Sequence, residues 1–191
     1  MLSHIVPLRF EDWSSGEFQL QSILHRLGTG RWGSGVALFL STYVNKVDRK
    51  GRISVPAPFR SALPEHPFSG IVAYRLFKYD ALECCGMGRM EAMGRRLESL
   101  EQFSEEYDNL QTLFSDAAEL AFDGEGRIVL PEGLREFAGI TETAAFVGVG
   151  STFQIWEPEA YERAKEVKRA LLRQKPVSLP PEPAGSRGGA E

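Results

Sequence analysis

A nine-residue stretch that returns 75 positions later constrains this 191-residue chain more than any other feature. Asp48-Arg49-Lys50-Gly51-Arg52-Ile53-Ser54-Val55-Pro56 recurs as Asp123-Gly124-Glu125-Gly126-Arg127-Ile128-Val129-Leu130-Pro131. At the same offset Phe59 matches Leu134 and Arg60 matches Arg135, so Asp, Gly, Arg, Ile, Pro and the second Arg are identical. Self-similarity at one fixed offset marks a tandem duplication. Each copy then runs on to two β-like stretches, Ile71–Phe77 and Leu82–Cys85 in the first, Ala144–Val149 and Phe153–Trp156 in the second. The expected organisation is repeat one over 42–86, a connecting helical segment over 87–114, repeat two over 115–159 and a C-terminal helix over 160–175.

Within a copy the order reads strand, turn, strand, short helix, hairpin. Tyr43-Val44-Asn45-Lys46-Val47 alternates with period two, as a half-buried strand does. Asp-x-x-Gly-Arg makes the turn, because Asp accepts backbone N–H groups and Gly permits positive φ. Asp48, Gly51, Asp123, Gly126 and Arg127 are therefore read as shaping the turns, with an Arg–Asp pair inside each. Ile53-Ser54-Val55 is a short strand that stops at Pro56, which suits the first turn of a helix carrying Phe59, Arg60 and Leu63, ended by Pro64. Between the copies Met90, Met93, Leu97, Leu100, Phe103, Tyr107, Leu110 and Phe114 step by three or four, an amphipathic stripe read as core or subunit packing. Ser104, followed by Glu105 and Glu106, is a candidate cap that splits this segment into two helices. A last helix, Glu159–Lys175 after Pro158, mixes acidic and basic residues as a solvated face does.

The ends differ from the middle. The first 35 residues lack clean periodicity, apart from short helical character over Phe18–Leu27, and Glu11 and Asp12 stand where a signal peptide would carry positive charge. Val36 and Leu38 are residues that alternative start codons can supply, so 1–35 is expected to be a disordered leader or a mis-called start. The last 16 residues hold four prolines and three glycines with almost no large apolar side chain, and read as a disordered tail over 176–191. No stretch approaches the roughly 18 apolar residues of a membrane span, so no membrane partner is expected. Cys84 and Cys85 are adjacent, which leaves no CxxC site and no disulfide framework; strand packing is the reading for both, and a reduced, cytoplasmic protein is expected. His4, His25 and His66 are scattered without a second ligand at metal spacing, so no metal is expected.

Catalytic signatures are missing as well. There is no GxSxG, HExxH, Walker A or CxxC motif, and Gly148-Val149-Gly150 leads into a strand-like FQIW where a dinucleotide fingerprint needs a helix. The expectation is a protein that is not an enzyme and uses no cofactor. The two copies differ most in charge. From Lys46 to Arg60, five basic residues face one acidic residue, a net of +4; the matching window Ala121 to Arg135 carries two basic and three acidic residues, a net of −1. Four net charges on one turn, in a chain whose overall charge is −4, is the footprint expected for phosphate contact, and a solvated turn with no partner is the alternative that charge alone leaves open. Arg52 adds a planar fork able to take guanine O6 and N7 bidentately. Lys46, Arg49, Lys50 and Arg52 are the candidate DNA-binding residues.

YVNKVDRKGRISVPAPFR, the second DGEGRIVLPEGLR and the VGVGSTFQIWEP that follows it closely resemble the MraZ family of bacterial transcriptional regulators, built from two SpoVT-AbrB-type units. The resemblance covers about Val36 to Lys175. It implies an α+β fold of tandem duplicated SpoVT-AbrB-like (swapped-hairpin-type) β units with short helices, plus connecting and C-terminal helices. It also implies homo-oligomeric rings in the cytoplasm, associated with the nucleoid, that bind double-stranded DNA at tandem G-rich boxes and repress the division and cell-wall gene cluster. The family's DNA-contacting arginine maps onto Arg52, with Asp48 and Lys50 beside it; the second motif maps onto Asp123 and Arg127, where Glu125 weakens the case for contact. The alternatives are a ring-forming structural or interaction scaffold without specific DNA recognition and an antitoxin-like partner, for which the tail lacks hydrophobic anchors.

Overall fold

The structure, a computed structural model, describes residues 38–174. The leader, its expected helical character at Phe18–Leu27 and the proline-rich tail lie outside the described residues. The first copy forms β1 (Thr42–Lys46), β2 (Arg52–Ser54), α1 (Ala57–Ala62), β3 (Gly70–Arg75) and β4 (Leu82–Cys85). Two helices follow, α2 (Met87–Glu98) and α3 (Glu105–Asp116). The second copy repeats the order with β5 (Ala118–Ala121), β6 (Arg127–Val129), α4 (Glu132–Phe137), β7 (Thr143–Gly148) and β8 (Phe153–Trp156), and α5 (Pro158–Gln174) ends it. The protein is α+β, with antiparallel sheets.

The strands do not pair within their own copies alone. A six-stranded sheet runs β1-β7-β8-β4-β3-β5, and a two-stranded ribbon joins β2 to β6. The first strand of each copy thus lies on the third strand of the other: Thr42 opposes Val147, and Gly70 opposes Ala121. The hairpins β3–β4 and β7–β8 are local, and β4 pairs β8 across the copies.

One core fills the space between the sheet, the ribbon and the short helices. Phe59 of α1 is its centre, 5.0 Å from the Phe153 ring, 5.5 Å from Phe39 and 5.4 Å from Tyr43 between ring centroids. Ile53, Val55, Ile128, Leu130 and Leu134 line it from the ribbon side. Pro56 and Pro131 occupy the N-cap positions of α1 and α4, so each ribbon strand turns at once into a helix that drops its apolar residue into this core. β3 and β7 are apolar at nearly every position because both of their faces are covered. Ile71 and Ala73 face the main core, while Val72 and Tyr74 meet Met90 and Met93 of α2 and Leu113 of α3. Likewise Ala144 and Phe146 face inward, and Ala145 and Val147 pack with Trp156 near Tyr161 and Ala164 of α5.

Ser104 splits the connecting segment. Its Oγ accepts a hydrogen bond from the Tyr107 N–H at 3.2 Å, and Glu105, Glu106 and Asp108 sit in the first turn of α3, where negative charge favours the helix dipole. Phe103 departs from the expected apolar stripe. It lies on the connection at φ 69° and is 87% exposed, because the helix that would carry it inward has already ended at Glu98. The last helix starts at Pro158, earlier than expected, with the Glu157 carboxylate accepting from the N–H groups of Glu159 and Ala160.

Candidate nucleic-acid interface

The duplicated motif builds a pair of matching turns on one small ribbon. β2 and β6 run antiparallel, with Arg52 opposite Val129, Ile53 opposite Ile128 and Ser54 opposite Arg127. Side chains alternate across a strand, so the isoleucine pair points into the core, where both are 1% exposed. Arg52, Ser54, Arg127 and Val129 share the outer face.

Each turn is wound around its aspartate. Asp48 Oδ1 accepts from the backbone N–H of Lys50 at 2.8 Å and of Arg52 at 2.9 Å, and Oδ2 accepts from Arg52 Nε at 2.7 Å. Asp123 repeats this with the N–H of Glu125 and of Arg127, both at 2.9 Å, and with Arg127 Nε at 2.7 Å. The backbone hydrogen bond from the arginine, and then its side chain, hold each aspartic acid down at about 2.

Gly51 and Gly126 adopt φ of 75° and 73°, and each locks its turn onto the opposite copy. Gly51 O accepts from Leu130 N at 2.9 Å, and Gly126 O accepts from Val55 N at 3.1 Å. A Cβ on Gly51 would stand 2.9 Å from the Leu130 carbonyl oxygen, and one on Gly126 would enter the Arg60 guanidinium. Conformation requires glycine at both turns, and at Gly51 the backbone of the opposite strand requires it by space as well.

The turns share a backbone and differ in charge. Arg52 uses Nε on Asp48, and its two terminal nitrogens meet no acceptor among the described residues. Arg127 is also held at Nη1, by Glu125 Oε2 at 2.6 Å. The Asp123 side chain first, then the Asp123, Glu125 and Asp48 charges, raise its pKa above the ordinary value. Arg49 and Lys50 are exposed at the tip of the first turn.

The ribbon brings Asp48, Gly51, Arg52, Asp123, Gly126 and Arg127 together. Lys46 belongs to the six-stranded sheet instead, exposed at the end of β1, where the Val47–Ile53 bridge ties that strand to the ribbon. Arg60, part of the charge count, turns back over Gly126 and donates from Nε to Val55 O at 3.2 Å. Val129, 54% exposed beside Arg52, is a surface residue that the sequence reading passed over; the signal was its period-two spacing from Arg127 in a strand whose middle residue is buried. Cys84 and Cys85 are both buried in β4, with burial pushing the Cys84 thiol well up and the Cys85 thiol to about 12. Among the described residues no group of three or more His, Cys, Asp or Glu side chains could hold a metal ion, and no helix is long and apolar enough to cross a membrane.

Residues 113–176 match the family model described as "MraZ protein, putative antitoxin-like". The chain is 42% identical over 143 residues to a transcriptional regulator MraZ of Rickettsia felis, covering 74% of this chain and 96% of that protein. It is 44% identical to the regulator of the same name from Rickettsia akari and 42% identical to that of Rickettsia rickettsii, with the same coverage. With the duplicated turn, the ribbon it builds and relatives matched over nearly their whole length, the chain belongs to the MraZ family, a family of transcriptional regulators and not of enzymes.

Proposed function

We propose that the protein regulates transcription by reading double-stranded DNA through the first turn of its ribbon, as a repressor at tandem G-rich boxes. The carrying observation is the difference between two otherwise equal arginines: Arg52 keeps both terminal nitrogens open, whereas Glu125 occupies Nη1 of Arg127. Bidentate recognition of guanine O6 and N7 needs such an open fork. Asp48 fixes the fork by its Nε, so little side-chain freedom remains to be lost on contact. Arg49, Lys50 and Lys46 supply phosphate contacts around it, which position the ribbon without carrying sequence information.

One such turn gives little affinity. In our reading several copies of the chain, assembled in a ring in the cytoplasm on the nucleoid, engage boxes about one helical turn apart, and effective concentration multiplies their binding. The two copies then act as units of the SpoVT-AbrB type with swapped hairpins: the first reads DNA, while the second and the helices serve assembly. The strand exchange of β1 and β5 supports that reading.

The test is a salt titration of binding to the DNA upstream of the protein's own reading frame, with oligomer size followed in parallel. Arg52→Ala should lose specific, salt-steep binding in an oligomer of unchanged size, and Arg127→Ala should keep it. Equal weak binding by wild type and Arg52→Ala would favour a scaffold that assembles without reading DNA.

A further inference from the structure

We infer that Val129, contributed by the second copy, reads the 5-methyl group of a thymine beside the base contacted by Arg52; the inference rests on the DNA reading above. Three observations place it there. Val129 lies directly opposite Arg52 in the ribbon register, and both point to the outer face. It is 54% exposed, although the neighbouring Ile128 and Leu130 are 1% and 2% exposed, so it contributes nothing to the core. The equivalent position in the first strand is Ser54, which stands opposite the closed Arg127. The apolar side chain is thus paired with the open arginine and the polar one with the occupied arginine.

A two-stranded ribbon fits the major groove, where thymine alone offers a methyl group for apolar contact. Directly opposed residues hold their Cβ atoms about 5 Å apart, and successive bases rise about 3.4 Å along one strand. Val129 therefore falls on the base pair adjoining, or one beyond, the guanine under Arg52. The second copy then adds one apolar contact to a face otherwise read by the first, beside its part in assembly.

The probe is the duplex upstream of the protein's own reading frame, with each thymine replaced in turn by deoxyuridine, which removes the methyl group and nothing else. Wild type and Val129→Ala are compared by titration at one salt concentration, beside Arg52→Ala. Within two base pairs of the guanine whose loss mimics Arg52→Ala, one replacement should weaken wild-type binding about fourfold, the worth of one buried methyl group. The same replacement should leave Val129→Ala unchanged. A wild type indifferent to every replacement overturns the inference, as does a Val129→Ala protein that responds equally. If wild type shows no specific binding, or Arg52→Ala binds as wild type does, the parent reading has failed and this one with it; specific binding lost in Arg52→Ala without any thymine effect removes only the role of Val129.

Discussion

Lys50→Glu should close the arginine of the first turn by the contact that closes the second. Position 50 matches position 125 at the duplication offset, and there Glu125 reaches Arg127 Nη1 at 2.6 Å. The turns are near-superposable around their aspartates, with the three hydrogen bonds at 2.8, 2.9 and 2.7 Å in one and 2.9, 2.9 and 2.7 Å in the other. A glutamate at 50 therefore inherits a geometry already realised in the same molecule. The turn itself should survive, since Lys50 supports it only through its backbone N–H. Losing a bidentate base contact costs about 1–3 kcal/mol, which is roughly 5- to 150-fold in affinity per engaged subunit. On the proposed reading the lost lysine also removes one phosphate contact, which should flatten the salt slope by about 0.9. Fluorescence anisotropy across a salt series reads both quantities, with sedimentation to compare the size of the variant with that of the wild type. The reciprocal Glu125→Lys should free Arg127 and raise affinity and slope together. Unchanged affinity and slope for a Lys50→Glu protein of wild-type size would refute the argument that an open arginine fork separates the two turns.

Gly51→Ala should destabilise the fold by about 1–3 kcal/mol, the range for a residue forced into a sparsely populated conformation, because it combines φ of 75° with a close approach to the Leu130 carbonyl; thermal unfolding reads this. Phe59→Ala should cost about 3–5 kcal/mol in chemical denaturation, since its ring contacts those of Phe39, Tyr43 and Phe153 at the centre of the core. Asp48 and Asp123 are held at about 2 in the folded protein against an ordinary 3.8, so their contribution to stability is complete above about pH 4 and is lost as the pH falls towards 2. Replacing both by Asn should remove that part of the acid dependence of urea unfolding, and an unaltered acid limb would contradict it. Cys84 and Cys85 should resist a thiol reagent at neutral pH until the protein unfolds, because both are buried and their thiolates are disfavoured.

Periodicity named the strands of this chain but not their partners. The alternation of Tyr43 to Val47 marks a half-buried strand wherever it lies, and only the folded sheet shows β1 on β7 of the other copy. The near-continuous apolar run of β3 is similarly silent about which face meets α2 and α3 and which meets Phe59. Phe103 shows the opposite failure. It kept helical spacing with Leu100 and Tyr107, yet the end of α2 at Glu98 and the capping by Ser104 turned it out to solvent. A cap made by one hydroxyl outweighs the periodicity of one aromatic residue, because without it the first N–H groups of α3 go unsatisfied.

The candidate site was legible to a different depth. The aspartate, glycine and arginine of each turn stand out in the sequence because duplication printed them twice, and the charge contrast of the two windows could be counted directly. The cause of the contrast could not be counted, because it is one oxygen on one nitrogen, Glu125 on Arg127. Both turns have the same backbone, the same Asp–Arg pair and the same glycine locked onto the opposite strand. The two copies differ at outward-facing positions, residues 49 and 50 against 124 and 125 at the tips and Ser54 against Val129 on the ribbon face. A substitution there leaves Ile53, Ile128 and the core untouched, so it changes what the arginine can bind without changing whether the ribbon forms. That separation is the physical reason one fold can hold the arginine of one turn open and keep that of the other closed.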